Sequence, residues 1–176
     1  MKLYVISDIH GAYEDLEMFI NKLVNKEYDN LIILGDILHG YGYSNNTQIC
    51  EIGNLLSKVV TKLILIKGNC DLEEDVKYLP IGFKDNIHLM LRGRNIYFVH
   101  GHHYFPFSLL NEKDILCHGH THINHITINK EKKFIECCPG SISMPRANTP
   151  KTYMEINDHK IIIYDMNDTI IKEIEL

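Results

Sequence analysis

Leu3-Tyr4-Val5-Ile6-Ser7-Asp8-Ile9-His10-Gly11 is the stretch that sets the architecture of this chain. Four apolar residues run straight into Ser-Asp, the mark of a short buried strand closed by polar residues. The form recurs. Leu31 to Leu34 ends at Gly35-Asp36, and Leu63 to Ile66 ends at Gly68-Asn69 after a single lysine. Between these runs, Leu16, Phe19, Ile20, Leu23 and Val24 fall at spacings of three and four, as do Ile49, Ile52, Leu56, Val59 and Val60. Those spacings predict two amphipathic helices. Continuous apolar strands alternating with helices predict a parallel sheet with right-handed crossovers.

The second half reads differently. Ile87 to Leu91 and Ile96 to Val99 flank Arg92-Gly93-Arg94-Asn95, a hairpin signal. Short apolar runs follow at Ile115 to Cys117, Ile123 to Ile128, Phe134 to Cys137, Thr152 to Ile156, Ile161 to Tyr164 and Ile170 to Ile174. Polar turns such as Asn129-Lys130-Glu131-Lys132 separate them. We expect one α/β domain over residues 1–176, with two sheets packed face to face and helices outside. A chain of this length buries a core without disulfides or a structural metal, so a metal here would serve chemistry.

Net charge is -5, only three arginines are present (Arg92, Arg94, Arg146), and no Lys/Arg run exceeds two. That excludes the basic footprint of a tight nucleic-acid binder. The five cysteines, Cys50, Cys70, Cys117, Cys137 and Cys138, form no CxxC pair and leave one over, which is reduced, cytoplasmic usage. The apolar run before Asp8 is too short for a signal-peptide core, and no run approaches membrane-spanning length. Histidine is the unusual residue: six of the 11 fall between His100 and His122, interleaved with glycine, threonine and apolar residues.

Five clusters carry the chemistry: Asp8-Ile9-His10-Gly11, Gly35-Asp36, Gly68-Asn69-Cys70-Asp71, His100-Gly101-His102 and Gly119-His120-Thr121-His122. Each follows a predicted strand, and in parallel α/β sheets sites are built at the carboxyl ends of strands. Asp8, His10, Asp36, Asn69, His100, His120 and His122 supply seven N and O donors, too many for one tetrahedral ion and about right for two ions sharing a carboxylate. Imidazole with carboxylate suits manganese, iron, nickel, cobalt or zinc, and no thiolate is required. Alternation along an extended segment is expected to point Asp8 with His10, and His120 with His122.

This order of motifs resembles the calcineurin-like metallophosphoesterases. Gly-Asn-Cys-Asp, Pro139-Gly140-Ser141-Ile142-Ser143 and the C-terminal run of strands are similar to the bacterial YfcE-type phosphodiesterases. The resemblance runs from Lys2 to about residue 175. It implies a four-layer αββα sandwich and a dinuclear centre, with manganese as the first choice of metal. Asp8, His10 and His122 would hold one ion, Asn69, His100 and His120 the other, and Asp36 would bridge. A metal-bridging hydroxide would then attack a phosphodiester in a small-molecule substrate. The family also implies self-association as a homodimer or homotetramer.

Many relatives place a histidine where this chain has Cys70, and a thiol is a poor substitute for imidazolium. His102, His39 and His103 are therefore candidates to assist the leaving group, with His102 preferred because it lies two residues from His100. Cys70, His39 and Arg146 are expected beside the ligands, and Ser141 is a candidate hydrogen-bond donor near them. Gly40-Tyr41-Gly42-Tyr43 reads as a lip over the site. The metal donors alone leave phosphomonoester hydrolysis open. A scaffold role like that of the retromer subunit of this fold is disfavoured by the full set of donors.

Overall fold

The computed structural model describes residues 1–39 and 46–176, apart from the side chains of residues 46 and 47. The stretch Gly40-Tyr41-Gly42-Tyr43 lies outside the described residues. In chain order the elements are β1 (Lys2–Ile6), α1 (Tyr13–Leu23), β2 (Asn30–Ile33), α2 (Asn46–Ser57), β3 (Leu63–Leu65), β4 (Asn86–Leu91), β5 (Arg94–Val99), β6 (Ile115–His118), β7 (His125–Ile128), β8 (Ile135–Cys138), β9 (Thr152–Asn157), β10 (Lys160–Asp165) and β11 (Ile170–Glu175). Every strand expected from the sequence is present, with ends within two residues of expectation.

Two mixed sheets form. The first has the order β11-β10-β9-β1-β2-β3 and the second β4-β5-β6-β8-β7. Strands β1, β2 and β3 run parallel, as do β5, β6 and β8, and the remaining pairs are antiparallel. Alternation along β1 explains the layers. Tyr4 and Ile6 face outward onto α1 and α2, where Leu16, Phe19, Ile20, Ile52 and Leu56 cover them. Leu3 and Val5 face inward, against Ile96, Phe98, Ile115, Cys117 and Ile135 of the second sheet. The outer face of that second sheet is covered more thinly. Leu116, Phe134 and Leu110 pack there with Tyr97, Val99 and Phe105, under a segment carrying a 3-10 turn at Phe107–Leu109. No helix among the described residues is long and apolar enough to cross a membrane.

Three expectations are corrected. Val24 lies just past the end of α1 and is 69% exposed, so the apolar stripe stops at Leu23. Helix α2 stops at Ser57, whose hydroxyl bonds back to Gly53 O, and Lys58 and Val59 close i−3 bonds that tighten the last turn. Val60 thus falls in a 3-10 turn and is exposed, while Val59 remains buried. Ile123 is left out of β7 because its N–H bonds the Thr121 hydroxyl in a local turn. The hairpin expectation gains detail: Leu91 pairs with Arg94, leaving Arg92 and Gly93 as a two-residue loop with φ of 49° and 82°. Two left-handed residues fit the twist of the strands.

Candidate metal centre

The parallel strands of both sheets deliver their carboxyl ends to one edge of the sandwich. The seven donors expected from the sequence meet there. Asp8 and His10 follow β1, Asp36 follows β2, Asn69 follows β3, His100 follows β5, and His120 and His122 follow β6. The first group is Asp8, His10 and His122. His10 Nε2 lies 3.2 Å from His122 Nε2, and Asp8 Oδ1 lies 3.3 Å from His122 Nε2 and 3.9 Å from His10 Nε2. The second group is Asp36, His100 and His120, with Asn69 Oδ1 3.1 Å from His100 Nε2. Asp36 Oδ2 stands between the groups, 3.8 Å from His10 Nε2 and 3.5 Å from His100 Nε2.

The tautomers decide what these atoms can bind. His10 Nδ1 faces His39 O at 2.7 Å, His122 Nδ1 faces Met144 O at 2.7 Å, and His100 Nδ1 faces Leu34 O at 2.5 Å. A carbonyl only accepts, so each Nδ1 carries the hydrogen and each Nε2 presents a lone pair in the neutral ring. The first group therefore aims two lone pairs and a carboxylate oxygen at one another. Asp8 Oδ1 is buried and has no hydrogen-bond partner. In the second group, Asn69 Oδ1 and Asp36 Oδ2 converge in the same way on the lone pair of His100. Acceptors crowded this closely need a proton or a cation between them, and this set of imidazole, carboxylate and amide oxygen donors fits divalent metal.

In the metal-free chain a proton takes the place of a cation: burial works against ionisation of Asp36, but protonated His100, whose own pKa Asp36 raises against burial, and the Cys70 N–H, 2.8 Å from Oδ1, hold its carboxyl well below the usual carboxylate range. Burial lowers His102 and His120, and the charge of His100 adds to it, so both imidazoles favour the neutral form.

The local backbone is strained. Asp8, His10, Asp36, His120 and His122 have φ of 55°, 50°, 53°, 66° and 60°. Pleat alternation does not pair these donors, contrary to expectation. The chain has left the strands and turned left-handed, at a cost of about 1–3 kcal/mol per residue. Close approach is the reason glycines flank them. A Cβ at Gly68 would collide with the Asp36 carboxylate, and one at Gly119 with the Ser7 hydroxyl.

Three supporting residues hold the turns. Asp71 is buried and accepts from Asp36 N, Ile37 N and Gly68 N, each at 2.8 Å, which locks the β2 and β3 turns together. The sequence displayed Asp71 within Gly-Asn-Cys-Asp but gave it no role. Ser141 Oγ donates to Asp8 O at 2.6 Å and accepts from Ser143 N and Met144 N, and Ser143 Oγ donates to Ile9 O at 2.8 Å. Ser141 was expected near the site. Ser143 had no signal beyond its place in the same run.

The remaining candidates are placed as follows. His102 lies beside the second group, its ring centroid 5.2 Å from that of His100 and 6.4 Å from that of His120. His103 lies behind it, the ring centroids 3.9 Å apart and the planes tilted by 42°, and is exposed. The His39 carbonyl holds His10, while its ring is engaged by Asp75 Oδ1 at 2.9 Å. Cys70 Sγ lies within 4.8 Å of donor atoms of His10 and Asp36. Burial and the Asp36 charge push its pKa up to about 11, which keeps the thiol protonated and unfit as a nucleophile. Arg146 is exposed and reaches the site only through its backbone N–H, 3.1 Å from His122 O.

Comparison with known proteins places this geometry. The family model for the calcineurin-like phosphoesterase superfamily domain matches residues 1–159. Phosphodiesterase YfcE of Escherichia coli (strain K12) is 30% identical over 179 aligned residues, covering 96% of this chain and 94% of that protein. The solved structure of E. coli YfcE, described as a phosphoesterase, superposes with a TM-score of 0.86 at 28% identity, covering 99% of this chain and 98% of that one. Wild-type Vps29 of Entamoeba histolytica, solved with zinc, shares the fold at a TM-score of 0.66 and 20% identity, covering 99% of both chains.

Proposed function

The chain belongs to the calcineurin-like phosphoesterase superfamily, and on that premise we propose that it is a metal-dependent phosphodiesterase with a dinuclear centre. Asp8, His10 and His122 would hold one divalent ion and Asn69, His100 and His120 the other, with Asp36 shared between them. Manganese is the proposed native metal. Ions in this position supply Lewis-acid charge for phosphoryl oxygens and acidify water. The observation that carries the reading is the convergence of acceptors: His10 and His122 face each other Nε2 to Nε2 at 3.2 Å with a buried, unpartnered Asp8 oxygen beside them.

The other parts of the chain prepare and shape that centre. Asp36 stays anionic, and Asp71 fixes its backbone through Asp36 N. Ser141 and Ser143 fix the backbone of Asp8 and Ile9. In the metal-free chain the Cys70 thiol is protonated, and a neutral thiol donates at most a weak hydrogen bond. His102, half-buried at the edge of the second group, is the residue we assign to the leaving-group oxygen, which its neutral ring would meet as a hydrogen-bond donor. A cavity of about 430 Å³ opens beside it, lined by Asp85, Asn86, His88, Tyr97 and Phe105. It gives room for the second ester substituent that a diester has and a monoester lacks.

Chelator-stripped protein supplemented with Mn²⁺ is assayed on bis-p-nitrophenyl phosphate beside p-nitrophenyl phosphate. Metal-dependent cleavage of the diester, with little of the monoester, is the expected result. Preference for the monoester would replace the proposal with a phosphomonoesterase. Failure on both, with Mn²⁺ bound, would favour a scaffold role.

A further inference from the structure

We propose that His118, His125 and Glu136 form a separate, mononuclear site for a zinc-class divalent cation on the outer face of the second sheet. This site shares no residue with the seven-donor centre and does not depend on the phosphodiesterase reading.

Sheet order brings the three side chains together. Strand β8 lies between β6 and β7, with Leu116 opposite Glu136, Cys117 opposite Cys137, and His125 opposite Cys138. Cys117, Cys137 and Ile126 point into the layer between the sheets. Their neighbours His118, Glu136 and His125 therefore project to the other face, one from each of three adjacent strands. One donor atom from each lies within 4.8 Å of the other two.

The chemistry of the cluster is that of an incomplete coordination shell. His118 Nδ1 is 3.0 Å from Gly119 O, and His125 Nδ1 is 3.3 Å from Ile123 O. Carbonyls at both Nδ1 positions leave both Nε2 atoms as lone-pair donors, the usual way a protein orients a ligating histidine. His118 Nε2 is buried and has no hydrogen-bond partner, and Glu136 Oε1 stands 3.5 Å away, the side chains being 13% and 31% exposed. Two imidazoles and one carboxylate are a zinc donor set with one position left for water or a fourth ligand. A cavity of about 230 Å³, lined by Tyr104, Phe105, Leu116 and Thr121 beside His118 and Glu136, leaves room for it. Among divalent ions, imidazole with carboxylate in a four-coordinate site favours zinc over the harder magnesium or calcium. An ion there would tie together the two ends of segment 119–124, which carries His120 and His122 into the seven-donor centre.

Chelator-stripped protein is saturated with Zn²⁺, desalted, and its zinc content per chain is measured by mass spectrometry, alongside His125→Ala and Glu136→Gln. Circular dichroism confirms that each variant is folded. The expected result is one zinc ion fewer per chain in His125→Ala than in the parent, and the same loss in Glu136→Gln. The comparison is between parent and variant, so it holds whatever number of ions the seven-donor centre retains. Equal zinc content in the parent and in both folded variants would overturn the proposal, leaving His118 and Glu136 as an ion pair only.

Discussion

Asp71→Asn removes one negative charge from a residue that touches no proposed ligand side chain, yet it should loosen the whole centre. Asp71 Oδ2 accepts from Asp36 N and Gly68 N, and Oδ1 accepts from Ile37 N. Asparagine has one carbonyl oxygen. Turned one way, it keeps the Asp36 and Gly68 bonds and sets its amide NH₂ against the Ile37 N–H. Turned the other way, it keeps Ile37 and loses the other two. At least one buried N–H is orphaned, at about 1–3 kcal/mol, and the surviving bonds weaken because their acceptor is no longer charged. One effect runs the other way: burial raises the Asp71 pKa, so its charge is costly to hold and a neutral amide relieves that cost. That relief exceeds the weakening of the surviving bonds, because the pKa is raised even with all three N–H bonds in place, so the loss rests on the orphaned donor and nets about 1–2 kcal/mol.

Urea unfolding of chelator-stripped protein is the assay, because bound metal would add stability by linkage and mask the difference. With a urea slope of about 2 kcal/mol/M, the midpoint should fall by roughly 0.5–1 M. Asp36 and Asn69 sit on the two turns that Asp71 joins, so the variant should also recover less Mn²⁺ after stripping. An unchanged midpoint and full metal recovery would refute the claim that this carboxylate locks the β2 and β3 turns together.

Three further outcomes are expected. Asp36→Asn should lower turnover of the diester by orders of magnitude and reduce bound metal, read by steady-state kinetics and metal analysis; full rate with both ions retained would mean the bridge is misassigned. Cys70→Ser should change turnover by less than about tenfold, or about 1.4 kcal/mol in barrier, since the thiol is protonated and is not needed as a ligand; complete loss in a folded, metal-loaded variant would contradict this. Asp114 accepts from Asn95 N, Asn95 Nδ2 and Asn111 N, and although burial opposes it, these donors hold its carboxyl below the ordinary range. A depressed folded-state pKa gives stability that is present above the unfolded value, about 4, and is lost as pH falls through the lower folded value. Asp114→Asn should therefore destabilise stripped protein at pH 7, with the gap to the parent narrowing in acid; a gap that widens as pH falls would reverse the sign.

How legible each part was follows from how local its cause is. The ends of the strands could be read because apolar runs and the polar residues that close them are contiguous, as at Val5-Ile6-Ser7-Asp8. The seven donors could be read for the same reason, since each stands within a few residues of a strand end. Their backbone could not. Asp8, His10, His120 and His122 look like alternating strand positions, yet all are left-handed, because the turns must carry the donors off the sheet edge and toward one another. Only the dense glycines beside them hinted at that close approach. Asp71 was visible as an acid but not as a clamp, because two of its three partners sit on the turn after another strand.

The His118, His125 and Glu136 cluster marks the far limit of local reading. His118 and His125 flank one loop, so a chain read in order would join β6 directly to β7. In space β8 inserts between them, parallel to β6, and brings Glu136 to the middle of the trio. Parallel pairing of β6 with β8 requires the chain to leave the neighbouring position empty, form edge strand β7, and return. No residue within β6 or β7 encodes that detour. Within that order, alternation sends Cys117, Ile126 and Cys137 to the layer shared with the first sheet and their neighbours to the other face. Strand order and alternation together thereby fix which polar side chains are left side by side outside the core.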